Sequence, residues 1–271
     1  MKSGPTKSGK DQQDESPAHC GTGKTRLYVE APLHEGARFE ADKDQAHYLL
    51  HVLRLRPGAR VLLFNGRDGE WAAELAELSK RACAFHVTGQ TRPHQPLPDV
   101  WLLFAPVKRA RLDFIAQKAT EMGACLIRPV LTRRTIVSRV NDERLEANVV
   151  EAAEQCGLVA LPQVGEAVAL DRLLDRWNEE APGRRILFCD EGAEPGGALD
   201  ALTALAQAGA REAPWAVLIG PEGGFAPEER ARLRAMPGTL ALSLGPRILR
   251  ADTAAIAALS AFQLVLGDWR R

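Results

Sequence analysis

The chain has 271 residues, 45% of them hydrophobic, and its 35 basic side chains balance 35 acidic ones. The length suits two domains of about 100–200 residues each, with the composition of a globular protein that buries a core. Zero formal charge excludes a whole-molecule attraction to nucleic acid or membrane, and no apolar run approaches the roughly 18 residues of a membrane span.

Residues 1–25, MKSGPTKSGKDQQDESPAHCGTGKT, are polar and rich in Gly, Ser and Pro, which predicts a disordered tail. They lack the apolar centre of a secretory signal, and Asp11, Asp14 and Glu15 break a transit-peptide pattern. AHCGTGKT (18–25) fits a loose phosphate-loop pattern with Ala18 in place of the first glycine. That motif needs a strand before it and a helix after it. Here DQQDESP precedes and the alternating RLYVEAPL follows, so the match, and an NTPase with it, is rejected. Cys20, Cys83, Cys125, Cys156 and Cys189 are odd in number and contain no C-x-x-C pair. They fit a reducing cytosol rather than a disulfide framework or a zinc site.

From 26 to about 92, short strand-like segments (RLYVEA, ARFEA, RVLLFN, WAAELAEL, ACAFHVTG) alternate with turn residues. One helix is expected over 44–54, with Tyr48, Leu49, Val52 and Leu53 on one face, ending at Pro57-Gly58. Several short strands with one helix suggest a small β-barrel. His47 and His51 have i, i+4 spacing, but no third ligand follows at a suitable distance, and no metal site is assigned.

TRPHQPLPD (91–99) holds three prolines and reads as a linker. From 99 to 271 strands alternate with helices. Strands are expected at 100–107, 125–132, 184–191, 215–220 and 239–245. Helices are expected at 111–123, closed by Gly123, at 141–157, capped by Asn141 or Asp142, at 199–208, from Pro227, and at 253–269. The class is α/β, a parallel sheet covered on both faces, with ligands at the C-terminal strand ends. Within the 141–157 helix, Glu151 and Gln155 have i, i+4 spacing and line either a cleft or an interface, or simply stabilise the helix.

Two such strand ends carry glycine turns. LIGPEGGFAPEE (218–229) places Gly220, Gly223 and Gly224 after an apolar strand. Without a Cβ, such a turn admits a close ligand or simply turns tightly. The dinucleotide pattern G-x-G-x-x-G is absent, which weakens a dehydrogenase reading. LSLGPRILRADTAA (242–255) repeats the Gly-Pro strand end and adds Arg247, Arg250 and Asp252. Asp252 or Thr253 is the expected N-cap of the last helix, a role compatible with a chemical one.

Together these two stretches resemble the paired signature of the SPOUT-class 16S ribosomal RNA (uridine-N3) methyltransferases. The likeness extends through HYLLHVLRLRPG (47–58), KRARLDFIAQKATEMGA (108–124) and EAAEQCG (151–157), and covers residues 26 to 267. It implies a PUA-like RNA-binding β-barrel over 26–92 and a SPOUT α/β domain over 99–271 with a deep trefoil knot. It implies S-adenosylmethionine as cofactor, held between the turns by Leu218, Ile219, Gly220, Pro221, Glu222, Gly223, Gly224, Leu244, Gly245, Ile248 and Leu249. It implies a cytoplasmic homodimer acting on 16S rRNA of the small ribosomal subunit, with no membrane and no metal partner. Two positions depart from the family: Asp252 stands for Glu, and Leu158 for an Arg after EQCG.

Eight basic residues between Lys108 and Arg139 (Lys108, Arg109, Arg111, Lys118, Arg128, Arg133, Arg134, Arg139) oppose only Asp113 and Glu121. Such a patch binds RNA phosphates or is a solvated face. Arg26, Arg54, Lys108, Arg109, Lys118, Arg133, Arg134 and Arg247 are assigned to RNA contact. Arg250 is assigned to stabilising the uracil anion, and Asp252 to taking the N3 proton or orienting Arg250. A knotted methyltransferase with another RNA target, or a non-catalytic RNA-binding assembly factor, is the alternative.

Overall fold

The computed structural model describes residues 25–269 apart from 80, 138 and 194–196, and the backbone alone of 77 and 78. The expected tail, Cys20 and the phosphate-loop look-alike lie outside the described residues except for Thr25. The carbonyl of Thr25 accepts the Leu62 N–H at 2.8 Å.

The first half contains β1 (Arg26–Tyr28), β2 (Arg38–Glu40), α1 (Lys43–His47), β3 (Arg60–Phe64), β4 (Glu70–Ser79) and β5 (Ala82–Arg92). The strands form one sheet in the order β1-β3-β4-β5-β2. Its β1–β3 pair is parallel and the others are antiparallel. Alternation decides which side is buried. Val61 and Leu63 on β3 and Cys83, Phe85 and Val87 on β5 point inward, where they meet Leu27 and Leu49.

The single helix expected over 44–54 is two segments. Asp42 caps α1, its carboxylate accepting the Gln45 N–H at 2.7 Å. The chain then widens into a π turn over Tyr48–Val52, where the Leu53 N–H reaches back to the Tyr48 carbonyl at 2.9 Å. The wider turn breaks the expected apolar face. Leu49 is fully buried, while Tyr48 and Val52 are 40% and 58% exposed. Arg54 follows at φ +55°, the only positive φ outside glycine among the described residues.

The second half begins with β6 (Val100–Phe104), α2 (Arg109–Glu121), β7 (Leu126–Leu131) and α3 (Asp142–Cys156). Asn141 caps α3, and Gly157 closes it at φ +79°. Next come β8 (Gln163–Val164), β9 (Val168–Ala169), α4 (Leu170–Asp175) and α5 (Trp177–Glu180), in a stretch to which no element is assigned from sequence. The chain continues through β10 (Arg185–Cys189), α6 (Ala198–Gln207), β11 (Trp215–Ile219), α7 (Pro227–Ala235), β12 (Thr239–Leu242) and α8 (Ala251–Val265). The sheet order is β12-β10-β11-β6-β7-β8, with β9 also beside β7, and every pair is parallel. One face packs against α2, α3, α6 and α8, and the other against α4, α5 and α7. Both faces being covered explains why all five residues of β11 are buried.

Arg26 joins the two sheets. Its Nε donates to Glu70 Oε2 (2.6 Å), Nη1 to the Ala153 and Glu154 carbonyls (2.7 and 2.9 Å), and Nη2 to the Leu158 carbonyl (2.7 Å). The first two carbonyls belong to the last turn of α3, where intrahelical partners run out, and Leu158 lies just beyond its Gly157 cap. The guanidinium also lies 4.4 Å from the centre of the Phe64 ring. Four of its five N–H donors are thus taken inside the protein, which makes Arg26 a clamp between the sheets and leaves little of it for the RNA contact expected from sequence. Burial alone would raise the pKa of Glu70, but hydrogen bonds from Arg92, Arg26 and Thr91 outweigh it and hold the group at about 2, against an ordinary 4.5.

Candidate functional site

Because β12, β10 and β11 are parallel neighbours, their C-terminal ends lie side by side. Cys189 is in register with Leu242 on one side and Ile219 on the other. The residues just beyond, with Ala251 and Ala254 from the start of α8, line a cleft of about 820 Å³ including its open mouth. Of the sequence-predicted residues, Ile219, Gly220, Pro221, Gly224, Leu244, Gly245, Arg247, Ile248 and Leu249 line it.

Others do not. Leu218 points into the core on the α7 side of the sheet, as the alternation of β11 requires. The Glu222 carboxylate accepts from Arg111 Nη1 at 3.1 Å, and the Gly223 carbonyl from Arg134 Nη1 at 2.7 Å. Arg250 is exposed between two lining residues, Leu249 and Ala251, and is itself the N-cap of α8 without a side-chain cap bond. The cap expected at Asp252 or Thr253 thus falls two or three residues earlier. Asp252 sits inside the first turn, where its charge suits the helix N-terminus. Its Oδ2 lies 3.9 Å from Arg111 Nε.

The end of β10 completes the cleft with Cys189, Asp190 and Glu191, none of them singled out from sequence. Burial pushes the Cys189 thiol up to about 12, so it is a neutral, inert wall. Asp190 is buried. It holds Arg230 (Nε 3.0 Å from Oδ1), Arg234 (Nη2 2.8 Å from Oδ2) and the Gly192 N–H (3.0 Å). The available signal was the strand end itself: a parallel strand finishing in Cys-Asp-Glu points these side chains where ligands bind. The glycines also have internal reasons. A Cβ on Gly220 would stand 2.6 Å from the Phe225 ring, and one on Gly224, at φ +65°, would stand 2.5 Å from Glu191 Oε1.

Residues 93–263 match the family model described as an RNA methyltransferase domain, and residues 41–88 match that of an RNA methyltransferase PUA domain. The chain belongs to the RNA methyltransferase family. Among its relatives, the ribosomal RNA small subunit methyltransferase E of Rickettsia conorii is 31% identical over 89% of this chain and 95% of its own. The enzyme of the same name from Bacillus subtilis is 28% identical over 87% and 95%. Two solved structures are similar throughout. One is a methyltransferase from Legionella pneumophila in complex with S-adenosylmethionine, with TM-score 0.77, 28% identity, and 90% and 98% of the two chains covered. The other is the ribosomal RNA small subunit methyltransferase E of Neisseria gonorrhoeae bound to S-adenosyl methionine, with TM-score 0.76, 28% identity, and 91% and 99% covered.

In this RNA methyltransferase the basic stretch is less positive than its sequence suggests. Arg133 faces Asp171 and Glu228 at 3.6 and 3.4 Å, and its backbone N–H donates to the buried Glu229 at 2.8 Å. Arg128 pairs with Glu180, Arg111 with Glu222, and Lys118 with Glu121, although Arg144, outside the stretch, takes Asp113. Acids from α5, α7 and the β11 turn, remote in sequence, supply much of this compensation. Lys108, Arg109 and Arg247, with Arg54 in the first half, are exposed and form no ion pair among the described residues. Arg134 bonds to a carbonyl and forms no ion pair among the described residues. His47 and His51 stack with ring centres 5.2 Å apart, and no group of three potential metal ligands occurs among the described residues.

Proposed function

We propose that this chain transfers the methyl group of S-adenosylmethionine to N3 of a uridine in 16S ribosomal RNA, acting as a homodimer in the cytoplasm. The observation that carries this reading is the cleft where three parallel strand ends meet the start of α8. Its chemistry fits the cofactor. Ile219, Leu244, Leu249, Ala251 and Ala254 give an apolar wall for a purine. Main-chain groups of 218–224 and 244–249 suit its ring edge and ribose, and the missing Cβ of Gly224 leaves a carboxylate close to the wall. Bound there, S-adenosylmethionine supplies a methyl group already activated by its sulfonium. The chain's own work is then positioning and charge.

Uracil N3 becomes nucleophilic when it loses its proton. Arg250, exposed beside the cleft and without an ion pair among the described residues, meets the carbonyl oxygens and stabilises the charge left behind. Asp252, in the first turn of α8, either accepts the proton or holds Arg250 in place. Lys108, Arg109, Arg134, Arg247 and Arg54 contact RNA phosphates, and the target base leaves its stack to enter the cleft.

The region over 26–92 forms a PUA-like barrel that docks the RNA. The register shifts between β4 and β5 are the bends a closing sheet needs. The region over 99–271 carries a trefoil knot. Supporting this, β12 lies at the sheet edge beyond β10, yet α8 returns to pack on β11, β6 and α2. No helix of the described residues is long and apolar enough to cross a membrane.

Methyl transfer from labelled cofactor to small-subunit particles and to naked 16S rRNA, followed by mass mapping, tests the assignment. A single N3-methyluridine is expected. A methyl group on a ribose or on another base overturns the choice of N3.

A further inference from the structure

We propose that Glu191 makes the cleft prefer the cationic methyl donor over its demethylated product. The inference rests on reading the cleft as the S-adenosylmethionine site. Three charged side chains line that cleft: Asp190, Glu191 and Arg247. Asp190 is enclosed and faces two cations, Arg230 and Arg234, neither of which lines the cleft, so it offers the ligand no negative charge. Glu191 is exposed and forms no ion pair among the described residues.

Its backbone is nevertheless held in place. The Asp190 N–H donates to the Leu242 carbonyl at 3.1 Å, and the Asp190 carboxylate accepts the Gly192 N–H, so both neighbours of Glu191 are tied down. Its Oε1 lies 2.5 Å from where a Cβ of residue 224 would be. A Cβ at 224 would push the carboxylate off that turn; it rests on the cleft wall without an ion pair among the described residues, with Arg230 Nη2 3.7 Å from the same Cβ position.

The two ligands differ by one charge. S-adenosylmethionine carries a sulfonium, an ammonium and a carboxylate, and is net positive. Loss of the methyl leaves S-adenosylhomocysteine, a neutral zwitterion of nearly the same shape. Hydrogen bonds and apolar contacts treat the two alike, whereas an unpaired carboxylate favours the cation. Such a preference loads the donor and speeds departure of the product.

Calorimetry of the full chain with each ligand tests this, using Glu191→Gln, which keeps the shape and removes the charge. Binding of S-adenosylmethionine is expected to weaken about fivefold, with S-adenosylhomocysteine changed less than about twofold. The preference for the donor therefore falls. Glu191→Ser must show the same change, and Glu191→Asp must retain the preference; thermal melts confirm that each variant is folded. Equal weakening of both ligands, or no change in either, overturns the proposal while leaving the cofactor site intact. If the unmodified chain binds neither ligand, the reading of the cleft fails and this inference with it.

Discussion

Arg250 and Gly220 show how differently two residues of one site can be tested. Arg250 touches nothing that holds the fold, since it is exposed and forms no ion pair among the described residues. Arg250→Ala should therefore lower methyl transfer about 100- to 1000-fold with an unchanged melting temperature and unchanged cofactor affinity. Undiminished transfer by a folded variant would remove it from the mechanism. Gly220→Ala should do the opposite. The added methyl would stand 2.6 Å from the ring of Phe225, which is 2% exposed and packs edge-on against Phe188 with centres 4.8 Å apart. Overpacking of this kind costs about 1–3 kcal/mol, readable by chemical denaturation. Gly220 was legible in sequence, because a glycine turn after an apolar strand announces itself. Asp190 and Glu191 were not, since a strand end rich in acids looks like any solvated turn until its neighbours are known.

At the scale of elements, long segments were legible and short ones were not. The strands and helices of the parallel sheet each hold enough periodic residues for the apolar pattern to emerge, and Asn141 and Gly157 mark both ends of α3. Between 158 and 183 the elements run to two, four or six residues, too short for a period to show. The π turn after α1 escaped because an i→i+5 bond leaves no compositional trace. The joint between the sheets is equally hidden, for it pairs Arg26 with Glu70 and with carbonyls more than 120 residues away. Arg26→Ala should cost about 1–3 kcal/mol, because it removes charged hydrogen bonds to Glu70 and to the carbonyls at the end of α3, while Arg92 and Thr91 still hold the carboxylate. A pH signature accompanies the pair. The folded pKa of Glu70, about 2, lies below its ordinary 4.5, so its stabilisation is complete above 4.5 and is lost as pH falls toward 2. The stability gap between the unmodified chain and Glu70→Gln, from denaturant melts, should be constant above pH 5 and shrink across that window.

For the whole molecule, neutrality and RNA binding are reconciled by where the acids sit. Thirty-five basic and 35 acidic side chains cancel in sum, yet the acids are spent unevenly. Asp171 and Glu228 neutralise Arg133, and Glu180 neutralises Arg128, while Lys108, Arg109 and Arg247 are left without ion pairs among the described residues. A cation that meets RNA phosphate releases a counterion only if it was not already paired with a carboxylate. The salt dependence of binding to small-subunit RNA therefore separates the two kinds. Arg109→Ala should reduce the slope of log affinity against log salt by about 0.7–0.9. Arg133→Ala should leave that slope nearly unchanged, because its charge already faces two carboxylates. Equal losses of slope in both variants would mean that RNA displaces the internal carboxylates, and that the stretch from Lys108 to Arg139 acts as the undivided patch its sequence describes.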